Sequence, residues 1–166
     1  VVLPIKGRAG RGAAGEVEAR LRGAGAEVVA GEAPADLVVV AGGDGSIGPA
    51  AEAAARRRLP LAVVTVGTAN DFARAAGIPL DPGEACGLAL DERARTVPFE
   101  LARMDGRPFL NVASAGLSVG AAREAAPLKP RLGALAYAVG AGRAALTHRA
   151  HAAEVVIDGE RTFSGR

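Results

Sequence analysis

Two glycine-rich segments of this sequence could bind the phosphate groups of a nucleotide. They are the GGDG loop, Gly42-Gly43-Asp44-Gly45-Ser46, and the GTAN loop, Gly67-Thr68-Ala69-Asn70, and each directly follows an apolar run. Glycines let the backbone approach a ligand closely, and successive backbone N–H groups beside a helix N-terminus attract anions. A tight turn with an incidental aspartate is the simpler alternative for the GGDG loop. Two adjacent glycines plus Asp-Gly after so apolar a run form a more specific pattern, which favours phosphate binding.

Asp44 is the residue of the GGDG loop that could take part in chemistry. A carboxylate beside a triphosphate is repelled unless a cation such as Mg²⁺ bridges the two or the carboxylate accepts a proton. We therefore expect Asp44 to act as a magnesium ligand or as a base, and the sequence leaves both roles open. In the GTAN loop, the hydroxyl of Thr68 can donate to a phosphate or ribose oxygen, and Asn70 can cap the helix that follows.

The two residues after the GTAN loop have simpler interpretations. Asp71 either contributes to the site or forms an ordinary helix pair with Arg74, three residues later. Phe72 is expected in the core rather than against a nucleotide base. Neither residue is assigned a site role on these grounds.

The elements around the two loops predict an α/β fold with a mainly parallel sheet. Apolar runs at residues 1–5, 37–41 and 61–66 predict strands, and residues 16–22 and about 46–58 have helical character, with Ser46 as the expected cap of the second helix. A short strand is also expected at residues 27–29. Strands that alternate with helices imply right-handed crossovers, so both glycine-rich loops should meet at the carboxyl edge of one sheet.

The pattern changes in the second half of the chain. After a helix that starts at Asp81-Pro82, residues 95–104 and 108–114 predict antiparallel strands joined by a turn at Asp105-Gly106. A helix from about residue 132 to 147 and a hairpin around Asp158-Gly159 follow. We place a domain boundary near Thr96, between residues 1–95 and 96–166, and expect the second domain to be truncated because its last strands stop in mid-pattern.

Composition excludes several other classes of protein. A formal net charge of +2 on 166 residues, with dispersed Lys and Arg, gives no broad basic face for nucleic acid. Cys86 is the only cysteine, so an internal disulfide and a cysteine-rich zinc site are both excluded, and a reducing cytoplasm is expected. No apolar run approaches the roughly 20 residues that cross a bilayer. Any membrane contact is therefore expected to be peripheral.

Four motifs in the same order resemble a known family. They are GGDGS after a buried strand, VGTANDFARAAGIP, FLNVASAGLSVGA and RLGALAYAVGAGRAAL. The succession is similar to the diacylglycerol kinase catalytic family, most closely to bacterial YegS-like lipid kinases. This resemblance implies an ATP-binding α/β domain at residues 1–95, related to the NAD kinase and phosphofructokinase folds, followed at residues 96–166 by the beginning of a β-rich lipid-binding domain.

The resemblance also implies an activity. It is the Mg²⁺-dependent transfer of the γ-phosphate of ATP to a hydroxyl of diacylglycerol or a related lipid. The protein is expected in the cytoplasm, with transient binding to the inner face of the membrane. A homodimer is a further possibility. Asp44 would be the catalytic residue and the metal ligand. By position, nucleotide binding falls on Gly42, Gly43, Asp44, Gly45, Ser46, Thr65, Gly67, Thr68 and Asn70.

The sequence departs from this family at three points, one of which is the conservative replacement of the commoner Thr by Ser46. Family members usually carry an Asn-Pro pair followed by Ser-Gly near the first strand, where this chain reads Leu3-Pro4-Ile5-Lys6-Gly7. Lys6 and Arg8 either replace those polar contacts as phosphate-facing cations or are ordinary solvated charges. The carboxylate that usually serves as general base in the second domain has no counterpart in these 166 residues.

Two other functions stay open. A kinase for a soluble substrate is the first, since NAD kinases and phosphofructokinases also carry GGDG, although the Asn-Asp-Phe-Ala-Arg segment argues against it. A non-catalytic nucleotide-binding module is the second. Tyr137 is expected in the core, and His148, His151 and Cys86 lack partners at ligand or catalytic spacing, so none of these four receives a role.

Overall fold

The computed structural model describes residues 2–6, 11–114, 116–133, 135–147 and 152–165. The described chain divides into two compact units, Val1–Val112 and Ala113–Arg166. The antiparallel strands predicted for residues 95–114 thus belong mostly to the first unit, beyond the boundary expected near Thr96. How the functional domains divide stays a prediction.

The first unit is built on a three-stranded parallel sheet. Its strands are β1 (Val2–Lys6), β2 (Leu37–Gly42) and β3 (Leu61–Thr65), in the order β1-β2-β3, so that β2 is the central strand. Val38, Val39 and Val40 of β2 are fully buried, as expected for a strand covered on both faces. The predicted α/β class with a parallel sheet is confirmed. The strand expected at residues 27–29 is reduced to a single bridge between Val28 and Val2.

Helices cover both faces of this sheet. Alternate residues of β2 point to opposite sides, because the side-chain period of a strand is two. Val39 packs with Val17 and Leu21 of α1 (Arg11–Gly23) and with α4 (Pro82–Leu90), whereas Val40 packs with Ile47 of α2 (Asp44–Arg57). The short helix α3 (Asp71–Ala75) contributes Phe72 to the second side, which confirms the expectation that this ring lies in the core.

Cys86 lies on the buried side of α4. Burial raises the pKa of its thiol, and the charge of Arg20 only partly opposes that effect. The thiol therefore stays protonated near neutral pH, as a structural cysteine does.

A short hairpin completes the first unit. Strands β4 (Ala102–Met104) and β5 (Arg107–Phe109) pair antiparallel, and Asp105 and Gly106 between them both have positive φ, as a two-residue hairpin turn requires. The hairpin packs on α2 through Gly48: a Cβ atom built on Gly48 would lie 2.5 Å from the carbonyl oxygen of Pro108. Arg103 also forms an ion pair with Glu52 of α2, with an N–O distance of 2.6 Å.

The described residues of the second unit form three helices and a second hairpin. The helices are α5 (Leu117–Ala125), α6 (Lys129–Leu132) and α7 (Leu135–Thr147), and the strands are β6 (Ala153–Ile157) and β7 (Arg161–Gly165). Among the described residues of the whole chain, no helix is both long and apolar enough to cross a bilayer. The predicted hairpin around Asp158-Gly159 is confirmed, again with positive φ at both turn residues. The prediction for Tyr137 is wrong: its ring is half exposed, and its hydroxyl accepts a hydrogen bond from Nζ of Lys129 at 2.6 Å.

Candidate nucleotide site

The two glycine-rich loops meet at the carboxyl edge of the sheet, as predicted. Gly42 at the end of β2 is the register partner of Thr65 at the end of β3, so both loops leave the sheet at the same level. Beyond this point the loops touch: a Cβ atom built on Gly67 would lie 2.7 Å from the Cα atom of Gly43. A side chain on Gly67 is therefore excluded unless the loops move, whereas a Cβ atom on Gly43 would make a tight contact of 3.2 Å with the Gly67 Cα atom.

Asn70 lies behind the contact between the glycines. Its Nδ2 atom donates a hydrogen bond to the carbonyl oxygen of Gly67 at 3.2 Å, and its backbone is left-handed, with φ of 53° and ψ of 42°. The residue is 9% exposed, and its Oδ1 atom is buried without a hydrogen-bond partner among the described residues. A buried acceptor without a donor is costly, so this atom is a candidate contact for a bound cation or donor group. Asn70 is the cap residue of α3 as predicted, but its side chain does not form the expected capping bond.

Asp44 is positioned by both loops. The predicted helix start at Ser46 is wrong, because α2 begins at Asp44 with Gly43 as its cap residue. Asp44 therefore lies in the first turn, where the helix dipole favours a negative charge. Its Oδ1 atom accepts a hydrogen bond from the backbone N–H of Phe72 at 2.9 Å, which ties the GGDG loop to the first turn of α3. Asp44 and Phe72 are 28 positions apart in the chain, and no sequence pattern predicts their hydrogen bond.

The other residues predicted to bind the nucleotide lie at the carboxyl ends of the strands or just after them. Some of their polar groups already form hydrogen bonds within the protein. Thr65 is buried, and its hydroxyl donates to the carbonyl oxygen of Leu80 at 3.0 Å, which fixes the chain after α3. The backbone N–H of Ser46 donates to the carbonyl oxygen of Gly43 at 2.8 Å, and Thr68 is exposed at the loop tip. Lys6 pairs with Ala41 in the sheet, but its side chain lies outside the described structure, as do Arg8 and the residues around it.

A cleft of about 240 Å³ opens beside the first turn of α2. Asp44 and Asp71 line it together with Gly48 and residues 108–112. The alternative of a helix pair between Asp71 and Arg74 is not observed, since the Arg74 guanidinium donates instead to the carbonyl oxygen of Ala69 at 3.2 Å. The cleft thus holds two carboxylates without a cationic side chain in its lining. The sequence left two interpretations open for Asp71, and it placed residues 109–112 in the FLNVASAGLSVGA motif without predicting a site role for them.

This arrangement fits a nucleotide with a divalent cation. The absence of side chains at Gly43 and Gly67 leaves room for phosphate groups. The buried Oδ1 atom of Asn70 accepts no hydrogen bond from the described residues. Three or more clustered His, Cys, Asp or Glu side chains, as a protein-only metal site needs, are absent from the described residues. Mg²⁺ does not require such a cluster, because it is usually held by one or two carboxylates together with phosphate oxygens and water.

The comparisons with known proteins agree with this geometry. The family model of the diacylglycerol kinase catalytic domain matches residues 11–101, which include both loops and α1 to α4. The chain belongs to the diacylglycerol kinase catalytic-domain family.

Similar proteins carry matching descriptions. A probable lipid kinase YegS-like of Pseudomonas aeruginosa strain PAO1 is 48% identical over 103 residues, which are 60% of this chain and 33% of the relative. A second, from Stenotrophomonas maltophilia, is 44% identical over 115 residues, or 63% of this chain and 37% of the relative. The matched region thus spans about a third of the length of these family members.

The fold of the kinase family extends across both units of the chain. A crystal structure of a diacylglycerol kinase from Bacillus anthracis superposes with a TM-score of 0.60 at 23% identity, and covers 99% of this chain and 60% of that protein. At this identity the likeness establishes the fold alone. The α/β fold class inferred from sequence is confirmed by this structure.

Proposed function

We propose that this chain is the nucleotide-binding part of an ATP-dependent lipid kinase, which transfers the γ-phosphate of ATP to a hydroxyl of diacylglycerol or a related lipid. The observation that carries the proposal is the contact between Gly43 and Gly67 with the Asp44 carboxylate beside it. Membership in the diacylglycerol kinase catalytic-domain family supports it. The names of the YegS-like relatives support a lipid as the acceptor.

In the proposed reaction, the acceptor oxygen forms a bond to the γ-phosphorus while the bond between that phosphorus and the β,γ-bridging oxygen breaks. The hydroxyl proton leaves with a base, and ADP departs with the bridging oxygen. Charge on the transferring group is the main obstacle to such a reaction, so positioning and electrostatics supply most of the rate. In this scheme the N-terminus of α2 and the backbone of the two loops would offer N–H groups to the phosphates.

Asp44 has two possible tasks in this scheme. Because Phe72 holds Oδ1, the carboxylate has a fixed orientation, and its second oxygen is available to a cation or a proton. Bound Mg²⁺ would offset phosphate charge, with Asp44 as its protein ligand. Alternatively, Asp44 receives the hydroxyl proton directly. Both tasks require the ionised carboxylate.

Replacement of Asp44 tests the proposal. Asp44→Asn keeps the shape of the side chain and the acceptor for the Phe72 N–H but removes the charge, so phosphoryl transfer should fall by about 100-fold or more. Radiolabelled ATP with Mg²⁺ and diacylglycerol in mixed micelles measures the rate, and thermal unfolding checks the fold. Glu92→Gln, at an exposed residue outside the cleft lining, is the matched control and should keep the wild-type rate.

Two outcomes contradict the proposal. Near-normal transfer by Asp44→Asn would remove Asp44 from the reaction. Label that enters only a soluble product, when NAD, a sugar phosphate and diacylglycerol are offered together, would show a kinase for a soluble substrate instead.

A further inference from the structure

Helix α3 holds the Asp44 carboxylate through a backbone hydrogen bond. The N–H group of Phe72 donates to the Oδ1 atom of Asp44 at 2.9 Å. Phe72 lies in the first turn of α3, where backbone N–H groups have no partner inside the helix and can therefore bind an acceptor from outside it. The orientation of Asp44 thus depends on where this first turn lies.

The position of α3 depends on packing rather than on the helix itself. The helix contains five residues, Asp71–Ala75, and the side chain of its cap residue Asn70 forms no capping bond. Such a short helix is not stable alone in water, and burial of its apolar side chains must hold it. Phe72 and Ala73 are the buried residues of α3, and Phe72 has by far the larger side chain. The Phe72 ring is therefore the main anchor of the helix.

The Phe72 ring has contacts on two sides. Toward the sheet it packs with Val40, Ile47 and Val63 in the core. On the other side it meets Phe99, with the ring centroids 5.0 Å apart and the ring planes at 70°. This edge-to-face geometry is favourable for two aromatic rings. Phe72 is 7% exposed and Phe99 is 58% exposed, so Phe99 is the outer member of the pair.

Phe99 lies in a segment without regular secondary structure. Residues 94–101 form neither a helix nor a strand, and β4 begins only at Ala102. Phe99 is not part of the cleft lining, so it does not contact a substrate bound there. It is linked to Asp44 by two successive contacts, first from ring to ring and then from the Phe72 N–H group to the carboxylate.

We propose that Phe99 is a positioning residue that fixes the Asp44 carboxylate through Phe72. The Phe99 ring restrains the Phe72 ring against the core, and the Phe72 N–H group in turn restrains Asp44. The consequence for turnover rests on the proposed kinase function, whereas the consequence for the hydrogen bond between Phe72 and Asp44 does not. Each consequence therefore has its own measurement.

Hydrogen exchange at the Phe72 amide tests the link without any turnover. Loss of an edge-to-face pair shifts a local equilibrium by roughly two- to twelvefold, so Phe99→Ala should speed exchange at this amide by a similar factor. Asp44→Ala removes the acceptor and gives the exchange rate of the released amide. Amides of β2 should keep their wild-type rates in Phe99→Ala, because the change is confined to α3. Isotope-labelled protein and NMR measure these rates residue by residue.

Val97→Ala and Phe99→Tyr are the matched controls. Val97 is a 61% exposed apolar residue of the same segment, and Phe99→Tyr keeps the ring, so both variants should leave the Phe72 amide at the wild-type rate. Phe99→Leu, which keeps an apolar side chain without the ring, replaces Phe99→Ala if thermal unfolding shows that the alanine variant is not folded. Unchanged Phe72 exchange in the variant without the ring, or equal acceleration by Val97→Ala, would overturn the proposal.

Kinetics with short-chain diacylglycerol in free solution test the consequence for turnover. Small misplacement of a reacting group is costly, so Phe99→Ala should lower kcat by about three- to tenfold and leave the KM for ATP unchanged. In the Asp44→Asn background the same change should lower kcat by less than about twofold, because the charge that it orients is absent. An equal loss in both backgrounds would mean that Phe99 does not act through Asp44.

The two measurements separate this proposal from the kinase function. A wild-type chain that does not phosphorylate the lipid would contradict the kinase, while faster Phe72 exchange in Phe99→Ala would still support the link to Asp44. Lipid phosphorylation by the wild type, together with unchanged Phe72 exchange in Phe99→Ala, would overturn the positioning role and leave the kinase intact.

Discussion

The contact between Gly43 and Gly67 shows how two residues without side chains allow the two loops of the candidate site to meet. Each glycine lies just after the end of a strand. A Cβ atom added to Gly67 would come closer to the Gly43 backbone than real Cβ atoms do. The same absence of side chains leaves N–H groups accessible from the open side. In the proposed site, packing between the loops and access for phosphate would thus depend on the same two residues.

Gly67→Ala tests this dependence. The added Cβ atom would lie 2.7 Å from both the Gly43 Cα atom and the Oδ1 atom of Asn70, so the loops must separate. We expect the free energy of unfolding to fall by about 1–3 kcal/mol, as overpacking usually causes. Affinity for ATP, measured calorimetrically in the presence of Mg²⁺, should fall by roughly tenfold or more, equivalent to at least about 1.4 kcal/mol.

Gly87→Ala is the matched control for Gly67→Ala. Gly87 lies inside α4 with open space around its Cα atom, so alanine should stabilise the helix by roughly 0.5–1 kcal/mol and leave ATP binding unchanged. Wild-type ATP affinity in Gly67→Ala would show that the contact between the loops is not needed for binding.

At the scale of elements, α2 connects the GGDG loop to the cleft. Its first turn contains Asp44, and one turn later Gly48 rests on the backbone of β5. The ion pair between Glu52 and Arg103 lies one further turn along the same helix. The β4–β5 hairpin, and with it the cleft wall at residues 108–112, is therefore positioned by the helix that carries Asp44.

Gly48→Ala should disturb this connection. Alanine favours a helix by about 1 kcal/mol over glycine, but its Cβ atom would lie 2.5 Å from the Pro108 carbonyl oxygen, which belongs to the backbone and cannot rotate away. The clash should dominate, with a net loss of about 1–3 kcal/mol in the free energy of unfolding. Chemical denaturation measures it, with Gly15→Ala on the exposed side of α1 as a control that should be neutral or stabilising. Equal stability of the two variants would mean that α2 and β5 are not in firm contact.

The sequence predicts local elements better than their contacts. Apolar runs such as residues 37–41, and the Asp-Gly pairs of both hairpins, have backbone preferences that act within a few residues, and that strand and those turns are confirmed. The strands predicted at residues 95–104 and 108–114 are too long, because the pairing covers only residues 102–104 and 107–109. The start of α2 is misplaced because Gly43, not the better capping residue Ser46, fits where the loops touch. Helix α5 is missed because its glycine and small residues resemble a loop.

The same limit applies to the candidate site. The GGDG and GTAN loops can be recognised from the sequence because their glycines directly follow apolar runs that predict strands. The hydrogen bond from Phe72 to Asp44 and the cleft wall at residues 108–112 depend on the packing of distant segments, which no local pattern encodes. The roles of Thr65 and Lys6 remain predictions, although the Thr65 hydroxyl already donates to Leu80.

At the scale of the whole molecule, burial is distributed unevenly between the two units. In the first unit, large side chains such as Leu21, Ile47 and Val64 are fully buried around the sheet. Within the described part of the second unit, the buried apolar residues are Ala125, Ala136 and Ala144. Burial of a Val or Leu side chain contributes about 1.5–3 kcal/mol, whereas alanine contributes much less. Most of the hydrophobic stabilisation therefore lies in the first unit.

Hydrogen exchange should reveal this difference between the units. Amides of β2 are in the central strand of a covered sheet, so they should exchange only by global unfolding. The β6–β7 hairpin exposes about half of Val155, Val156 and Phe163, and two-stranded hairpins are marginally stable in water, so its amides should exchange at least about 100-fold faster. Mass spectrometry of peptides from residues 37–42 and 153–165 measures both rates in one sample. Equal protection of the two peptides would require another surface to cover the hairpin, since its own two strands bury too little apolar area to resist opening.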